Sequence, residues 1–80
     1  MLTARARHLL ATLATSGQAR TDALGMPTAE VRDAIAELER LHDDDGKPVS
    51  VLKSWHERGV LVALELTPVG KSLARALASS

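Results

Sequence analysis

The sequence has no cysteine, no phenylalanine and no tyrosine, and Trp55 is its only aromatic residue. The lack of cysteine excludes disulfides and thiolate metal sites. The lack of other aromatic side chains leaves leucine, valine and alanine to build the core, and leaves no second ring for a base-stacking platform. No apolar run approaches the roughly 20 residues of a membrane-spanning helix. With no export signal evident at the start, we expect a cytoplasmic protein without a membrane partner.

The chain also lacks net charge, since ten lysines and arginines balance ten acids over 80 residues. A single domain over residues 1–80 is the economical interpretation of this length. The charges are unevenly distributed, however. Residues 1–21 hold three arginines and no acid, residues 22–45 hold eight acids and two arginines, and residues 46–80 hold five basic residues and two acids. Two basic segments therefore flank an acidic one.

Apolar residues three or four positions apart predict three helices before residue 43. The first covers residues 2–15 and ends at Ser16 and Gly17. The second is short, over about residues 18–24. The third runs over about residues 28–42, with Thr28 as its N-cap.

The apolar period then changes to two, which predicts a β-hairpin over about residues 48–67. Alternate positions place Val49, Val51, Lys53 and Trp55 on one face of the first strand and Val60, Val62, Leu64 and Leu66 on one face of the second. A two-residue turn at Arg58 and Gly59 sets Trp55 opposite Val62, whereas a four-residue loop sets it opposite Val60. A three-residue loop mixes apolar and polar positions and is rejected.

A last helix is predicted from Thr67 as N-cap and Pro68 as its first residue, with a buried stripe of Val69, Leu73, Ala76 and Leu77. The run from Asp43 to Gly46 predicts a turn. It does not fit a calcium loop, because apolar residues fall where oxygen ligands are required. The three histidines lie in separate elements, so we expect no metal site and no cofactor.

These elements predict a mostly α protein of the α+β class, in which three helices, a two-stranded hairpin and a closing helix form a winged helix-turn-helix. The segment Leu24-Gly25-Met26-Pro27-Thr28-Ala29-Glu30-Val31 resembles the turn and recognition helix of bacterial regulators. The segment Leu66-Thr67-Pro68-Val69-Gly70-Lys71-Ser72-Leu73 resembles the strand-to-helix junction after the wing in the MarR and PadR-like superfamily. The resemblance implies a transcriptional regulator, bacterial or phage in type, such as a repressor that occupies an operator.

The third helix turns a polar strip away from its buried face, and we expect this strip to recognise double-stranded DNA in a sequence-specific way. It consists of Ala29, Arg32, Asp33, Ala36 and Arg40. Small alanines permit close approach, Arg32 suits a guanine edge, Asp33 suits a cytosine amino group and Arg40 suits phosphate. Thr28 at the helix start is a further phosphate contact. At the hairpin tip, Lys53, His56 and Arg58 are the predicted contacts of the wing.

Two other functions are compatible with the same sequence. The acidic third helix, or the hairpin face around Trp55, suits a winged helix used for protein–protein interaction. An architectural or recombination-directionality factor uses the same fold on DNA. No activated nucleophile, phosphate loop or carboxylate pair supports an enzyme. A homodimer, with Leu9, Leu10, Leu73 and Leu77 as candidate interface residues, would give so small a domain two linked half-sites.

Overall fold

The computed structural model describes residues 2–79 and shows an α+β fold of three α-helices and one three-stranded antiparallel sheet. The order along the chain is α1 (Ala4–Ser16), β1 (Gln18–Arg20), a 3-10 turn (Thr21–Ala23), α2 (Thr28–Glu39), β2 (Leu52–Glu57), β3 (Val60–Leu66) and α3 (Pro68–Ala78). The strands lie in the order β1-β3-β2. Within residues 2–79 no helix has the length and apolar character needed to cross a bilayer.

The core lies between the helices and one face of the sheet. The first helix contributes Ala6, Leu9, Leu10 and Leu13, which are all buried, as its predicted stripe requires. Leu38 of α2 and Leu64 of β3 complete the set of fully buried large side chains. Burial of each such leucine contributes about 1.5–3 kcal/mol to folding. Leu9 and Leu10 are therefore core residues, and their candidate role in a dimer interface is wrong.

The predicted second helix over residues 18–24 is wrong. Gln18, Ala19 and Arg20 instead form β1 and pair with Glu65, Leu64 and Ala63 of β3. The 3-10 turn that follows is held to the same strand by the Thr21 hydroxyl, which donates to the Leu61 carbonyl at 3.2 Å. A helix of seven residues satisfies few of its own backbone groups, whereas pairing with β3 satisfies them directly. The sheet consequently has three strands, and the predicted two-stranded hairpin is only part of it.

The helix predicted over residues 28–42 begins at the predicted residue, with a different N-cap, and ends earlier than predicted. Pro27 occupies the N-cap position, and Thr28 is the first helical residue, without a capping hydrogen bond from its side chain. The helix ends at Glu39, so Arg40 is its C-cap and not an internal residue. Leu41 leaves the helix because its carbonyl accepts from the Val49 N–H at 3.0 Å, and His42 bridges to Pro48.

The loop before β2 contains the predicted turn. Asp43 accepts hydrogen bonds through its carboxylate from the N–H groups of Asp45 and Lys47, both at 2.9 Å. The aspartate side chain therefore organises the turn locally, as this residue type commonly does.

The hairpin has the predicted two-residue turn at Arg58 and Gly59, since Glu57 pairs with Val60. Both predicted registers are wrong for Trp55 and the residues before it. A bulge between Trp55 and His56 sets Trp55 opposite Ala63, and not opposite Val62 or Val60. Ser54 then lies opposite Leu64 and Leu52 opposite Leu66. Trp55 consequently points away from the core and is 41% exposed, so it is not a core residue.

The last helix begins as predicted. The Thr67 side chain accepts from the Gly70 N–H at 3.1 Å and donates to the Ser50 carbonyl at 2.6 Å, and Pro68 takes the first helical position. The predicted buried stripe is partly wrong, because Val69 is 50% exposed and Ala76 is exposed. Gly70 and Ala74 are the buried residues of α3 instead.

Candidate nucleic-acid interface

A groove of about 530 Å³ separates α2 from the tip of the β2–β3 hairpin. One wall is formed by α2, through Thr28, Val31, Arg32, Ile35, Ala36 and Glu39. The opposite wall is formed by His56, Gly59, Val60 and Leu61 of the hairpin, and the end is closed by Thr21 and Asp22. The groove therefore joins the two elements from which DNA contacts are predicted.

Four of the predicted site residues line this groove together, namely Thr28, Arg32, Ala36 and His56. The Thr28 hydroxyl is not used as a cap, and it makes no hydrogen bond within residues 2–79. Within the same residues Arg32 forms no ion pair, and its side chain is exposed. This part of α2 accordingly presents a free guanidinium and a free hydroxyl toward the groove.

Ala29 lies on the exposed crest of α2 beside these residues. Successive helical positions differ by about 100°, which places Ala29 and Ala36 on the same face of α2, where Ala29 is exposed and Ala36 is half-buried. Two alanines here leave the helix backbone accessible between the longer side chains.

Asp33 and Arg40 lie on the opposite flank of α2. The Asp33 carboxylate pairs with the Arg5 guanidinium of α1 at 3.6 Å. Arg40 borders a shallow apolar hollow that also contains Leu41, Leu73 and Leu77. The structure therefore separates these two predicted contacts from the groove residues.

Glu37, one helical turn after Asp33, also turns toward α1. Its carboxylate accepts from the Thr3 N–H at 2.7 Å and from the Thr3 hydroxyl at 2.8 Å. The Thr3 N–H first, and then the Thr3 hydroxyl, lower the pKa of Glu37 from its ordinary value of 4.5. Two of the acids that gave the predicted reading helix its negative charge are thus engaged in contacts with α1.

The predicted DNA contacts of the hairpin do not all lie together. Arg58 occupies the turn itself, and within residues 2–79 it forms no ion pair. Lys53 lies farther back, opposite Glu65, so it does not join Arg58 and His56 at the tip. Because directly opposed residues share a sheet face, Lys53 lies with Glu65 and Gln18 on the face away from the core.

Arg58 has φ of 51°, and the following Gly59 has φ of 79°. Both residues are in the left-handed region, as a type I′ hairpin turn requires. Asparagine, aspartate or glycine is favoured at the first of these positions, and an arginine costs about 1–2 kcal/mol there. The fold thus retains a conformationally unfavourable arginine in the exposed turn of the hairpin.

Several groove residues were missed in the sequence. Thr21 and Asp22 belong to the 3-10 turn that follows β1, and they line the groove although the sequence predicts a helix for them. Val60 was assigned to an apolar strand face, yet it is 63% exposed at the hairpin tip. The exposure of Val60 could have been predicted from the turn at Arg58 and Gly59, because the residue after a two-residue turn lies at the end of the hairpin.

Comparison of the chain with protein-family models, with curated proteins and with solved structures gives no match. The groove, the hairpin turn and their charges are therefore the features of the molecule that bear on its function.

Proposed function

We propose that this chain is a winged helix DNA-binding domain that acts as a transcriptional regulator. In this proposal α2 is the recognition helix, entering the major groove of duplex DNA, and the β2–β3 hairpin is the wing, contacting the adjacent backbone or minor groove. The 3-10 turn replaces the first helix of the helix-turn-helix. The order of elements and the resemblance of residues 24–31 and 66–73 to MarR and PadR-like regulators support this interpretation.

The observation that carries the proposal is the left-handed Arg58 at the hairpin tip. Its guanidinium forms no ion pair within residues 2–79, so the fold gains no charge pairing that offsets the conformational cost. An unfavourable backbone conformation that is retained commonly marks a functional position. A guanidinium at the end of a protruding hairpin is suited to phosphate or to a narrow minor groove.

The contacts of α2 with α1 support the assignment of α2 as the recognition helix. Asp33 is paired with Arg5, and Glu37 is bonded to Thr3, so both acids lie on the flank of α2 that faces α1 and away from the groove. Arg32 is then the basic residue that α2 presents to the groove. Glu39 and Asp22 still line the groove, so we expect modest affinity that depends strongly on a few cationic contacts.

The proposal is tested by fluorescence anisotropy with a labelled random-sequence duplex of about 25 base pairs at low salt, where non-specific binding is strongest. Wild type is compared with Arg58→Asn, Arg32→Gln and Lys71→Gln. Each variant removes one positive charge, but Lys71 is an exposed residue of α3, which packs on α1 and β3. We expect the first two variants to lose about fivefold or more in affinity and Lys71→Gln to change little.

Arg58→Asn also separates binding from stability. Asn-Gly is a favoured pair for the type I′ turn, so this variant should melt at the same temperature as wild type or higher. A stable Arg58→Asn variant with weakened binding supports a direct contact. Equal binding by wild type, Arg58→Asn and Arg32→Gln would refute the assigned surface.

A further inference from the structure

The strand β2 is an outer strand of the sheet, and within residues 2–79 it pairs only with β3. Its residues from Lys53 to Glu57 are all exposed. An outer strand of this kind presents unpaired backbone N–H and C=O groups that can add another strand.

The turn determines which backbone groups are unpaired. In a two-residue hairpin the residues that flank the turn, here Glu57 and Val60, exchange hydrogen bonds with each other. Bonded and non-bonded positions then alternate along an antiparallel pair. Lys53, Trp55 and Glu57 therefore direct their backbone groups toward β3, whereas Leu52, Ser54 and His56 direct theirs outward.

A second copy of β2 can satisfy these groups in four antiparallel registers that align at least three residues of each strand. One of them sets Lys53 against Lys53 of the second copy and is disfavoured by repulsion, which leaves three. Ser54 lies opposite Ser54 of the second copy in the first register, opposite His56 in the second, and His56 lies opposite His56 in the third. All three keep the outward-directed residues bonded to one another, and intermediate registers do not.

Only the second register matches the side chains. It places Lys53 opposite Glu57 of the second copy, twice by symmetry, and Trp55 opposite Trp55 on the twofold axis. The first register sets Lys53 against Trp55, and the third sets Trp55 against Glu57. Opposed charges and aromatic pairs at directly facing positions stabilise antiparallel strands.

We propose that two copies of this chain associate through β2 in that register and form a continuous six-stranded sheet. The contact covers Trp55, which the fold leaves 41% exposed. The twofold axis is perpendicular to the sheet, so the helices of both copies lie on the same side of it. This contact rests on the strand edge alone and is tested without DNA, so its outcome is independent of the DNA-binding proposal.

The lack of cysteine permits a direct test of the register. Single variants Trp55→Cys, Ser54→Cys and His56→Cys are oxidised, with Ser72→Cys on an exposed part of α3 as the control for random collision. Facing residues at a non-bonded position have Cα atoms about 4.5 Å apart, which suits a disulfide. We expect Trp55→Cys to form a covalent dimer, the other two singly to match the control, and a mixture of Ser54→Cys with His56→Cys to cross-link.

A charge exchange tests the same contact without oxidation. Within its own chain Glu57 faces the uncharged Val60, so Glu57→Lys leaves the hairpin pairing intact. By sedimentation velocity we expect Glu57→Lys to raise the dimer dissociation constant about tenfold, because two attractive pairs become repulsive. The triple variant Lys53→Glu, Glu57→Lys and Glu65→Lys should recover most of the loss, because it restores opposite charges between the copies and keeps them at the facing pair of residues 53 and 65 within the hairpin.

Three results would overturn the proposal. The first is a wild-type protein that stays monomeric at about millimolar concentration. The second is cross-linking of Ser54→Cys or His56→Cys to itself that is as efficient as that of Trp55→Cys. The third is a triple variant that recovers none of the dimer lost in Glu57→Lys. Circular dichroism of each variant confirms that it is folded before these comparisons are made.

Discussion

Gly70 in the first turn of α3 is the residue whose lack of a side chain matters most to packing. The Val51 carbonyl oxygen lies so close that a Cβ atom at position 70 would overlap it, and Leu66 Cδ2 lies 3.2 Å from the same point. The obstacle is backbone, and it is fixed because Val51 also accepts from the Thr67 N–H at 3.1 Å. The start of α3 is thus seated directly on the chain that leads into β2.

Gly70→Ala is expected to destabilise the fold by about 1–3 kcal/mol. In an exposed helix the same change would stabilise by about 0.5–1 kcal/mol, so the sign of the effect tests the close approach. Urea denaturation of Gly70→Ala gives this value, and Ser72→Ala serves as the control at an exposed position of the same helix. A Gly70→Ala protein as stable as wild type would show that Val51 and α3 are not in contact.

Trp55 illustrates what residue patterns leave undetermined. Alternation placed it with the valines of the hairpin, but the bulge reverses the faces beyond His56 and exposes it. A bulge adds one residue to one strand and is specified by packing around the whole hairpin, so the periodicity of a single strand does not reveal it.

Glu37 connects two elements, since it belongs to α2 and binds the residue that caps α1. Thr3 caps α1 by accepting from the Ala6 N–H at 3.4 Å, while its own N–H and hydroxyl donate to Glu37. Because these bonds favour the ionised carboxylate, the folded-state pKa lies below the ordinary value of 4.5. The stabilisation is fully present above that value and is lost as the pH falls through the lowered pKa.

Glu37→Gln should therefore melt below wild type at about pH 7, and the difference should shrink as the pH falls through the lowered pKa of Glu37. Melting curves by circular dichroism over a series of pH values measure the change. Glu39→Gln removes a carboxylate from the same helix whose side chain makes no hydrogen bond in the described residues, and it is the matched control. A constant gap for Glu37→Gln would contradict the ionised Thr3 contact.

The long elements could be predicted from the sequence because each has a strong local signal. The helix α1 has a four-residue buried stripe, α3 has Thr67 and Pro68 at its start, and the hairpin has its turn at Arg58. The strand β1 could not be predicted, because three residues show no period and their conformation is decided by pairing with β3, more than 40 residues later.

At the scale of the whole molecule, the acidic and basic residues balance in number but lie on different surfaces. The acidic segment over residues 22–45 places Asp33 and Glu37 against α1, whereas Arg32 and Arg58 stand on α2 and at the hairpin tip without ion pairs in residues 2–79. The candidate site could be predicted in part, since Thr28, Arg32, Ala36 and His56 meet at one groove. The separation of Asp33, Arg40 and Lys53 from it depends on helix orientation and strand register, which composition does not encode.

The salt dependence of duplex binding tests the central claim most directly, because phosphate contacts release counterions. Affinity for a random-sequence duplex, measured from about 50 to 200 mM salt, should fall linearly on logarithmic axes. The slope should become shallower by about one unit in Arg58→Asn. A folded wild-type protein that does not bind duplex at the lowest salt, or whose affinity is independent of salt, would contradict the assignment of DNA as the partner.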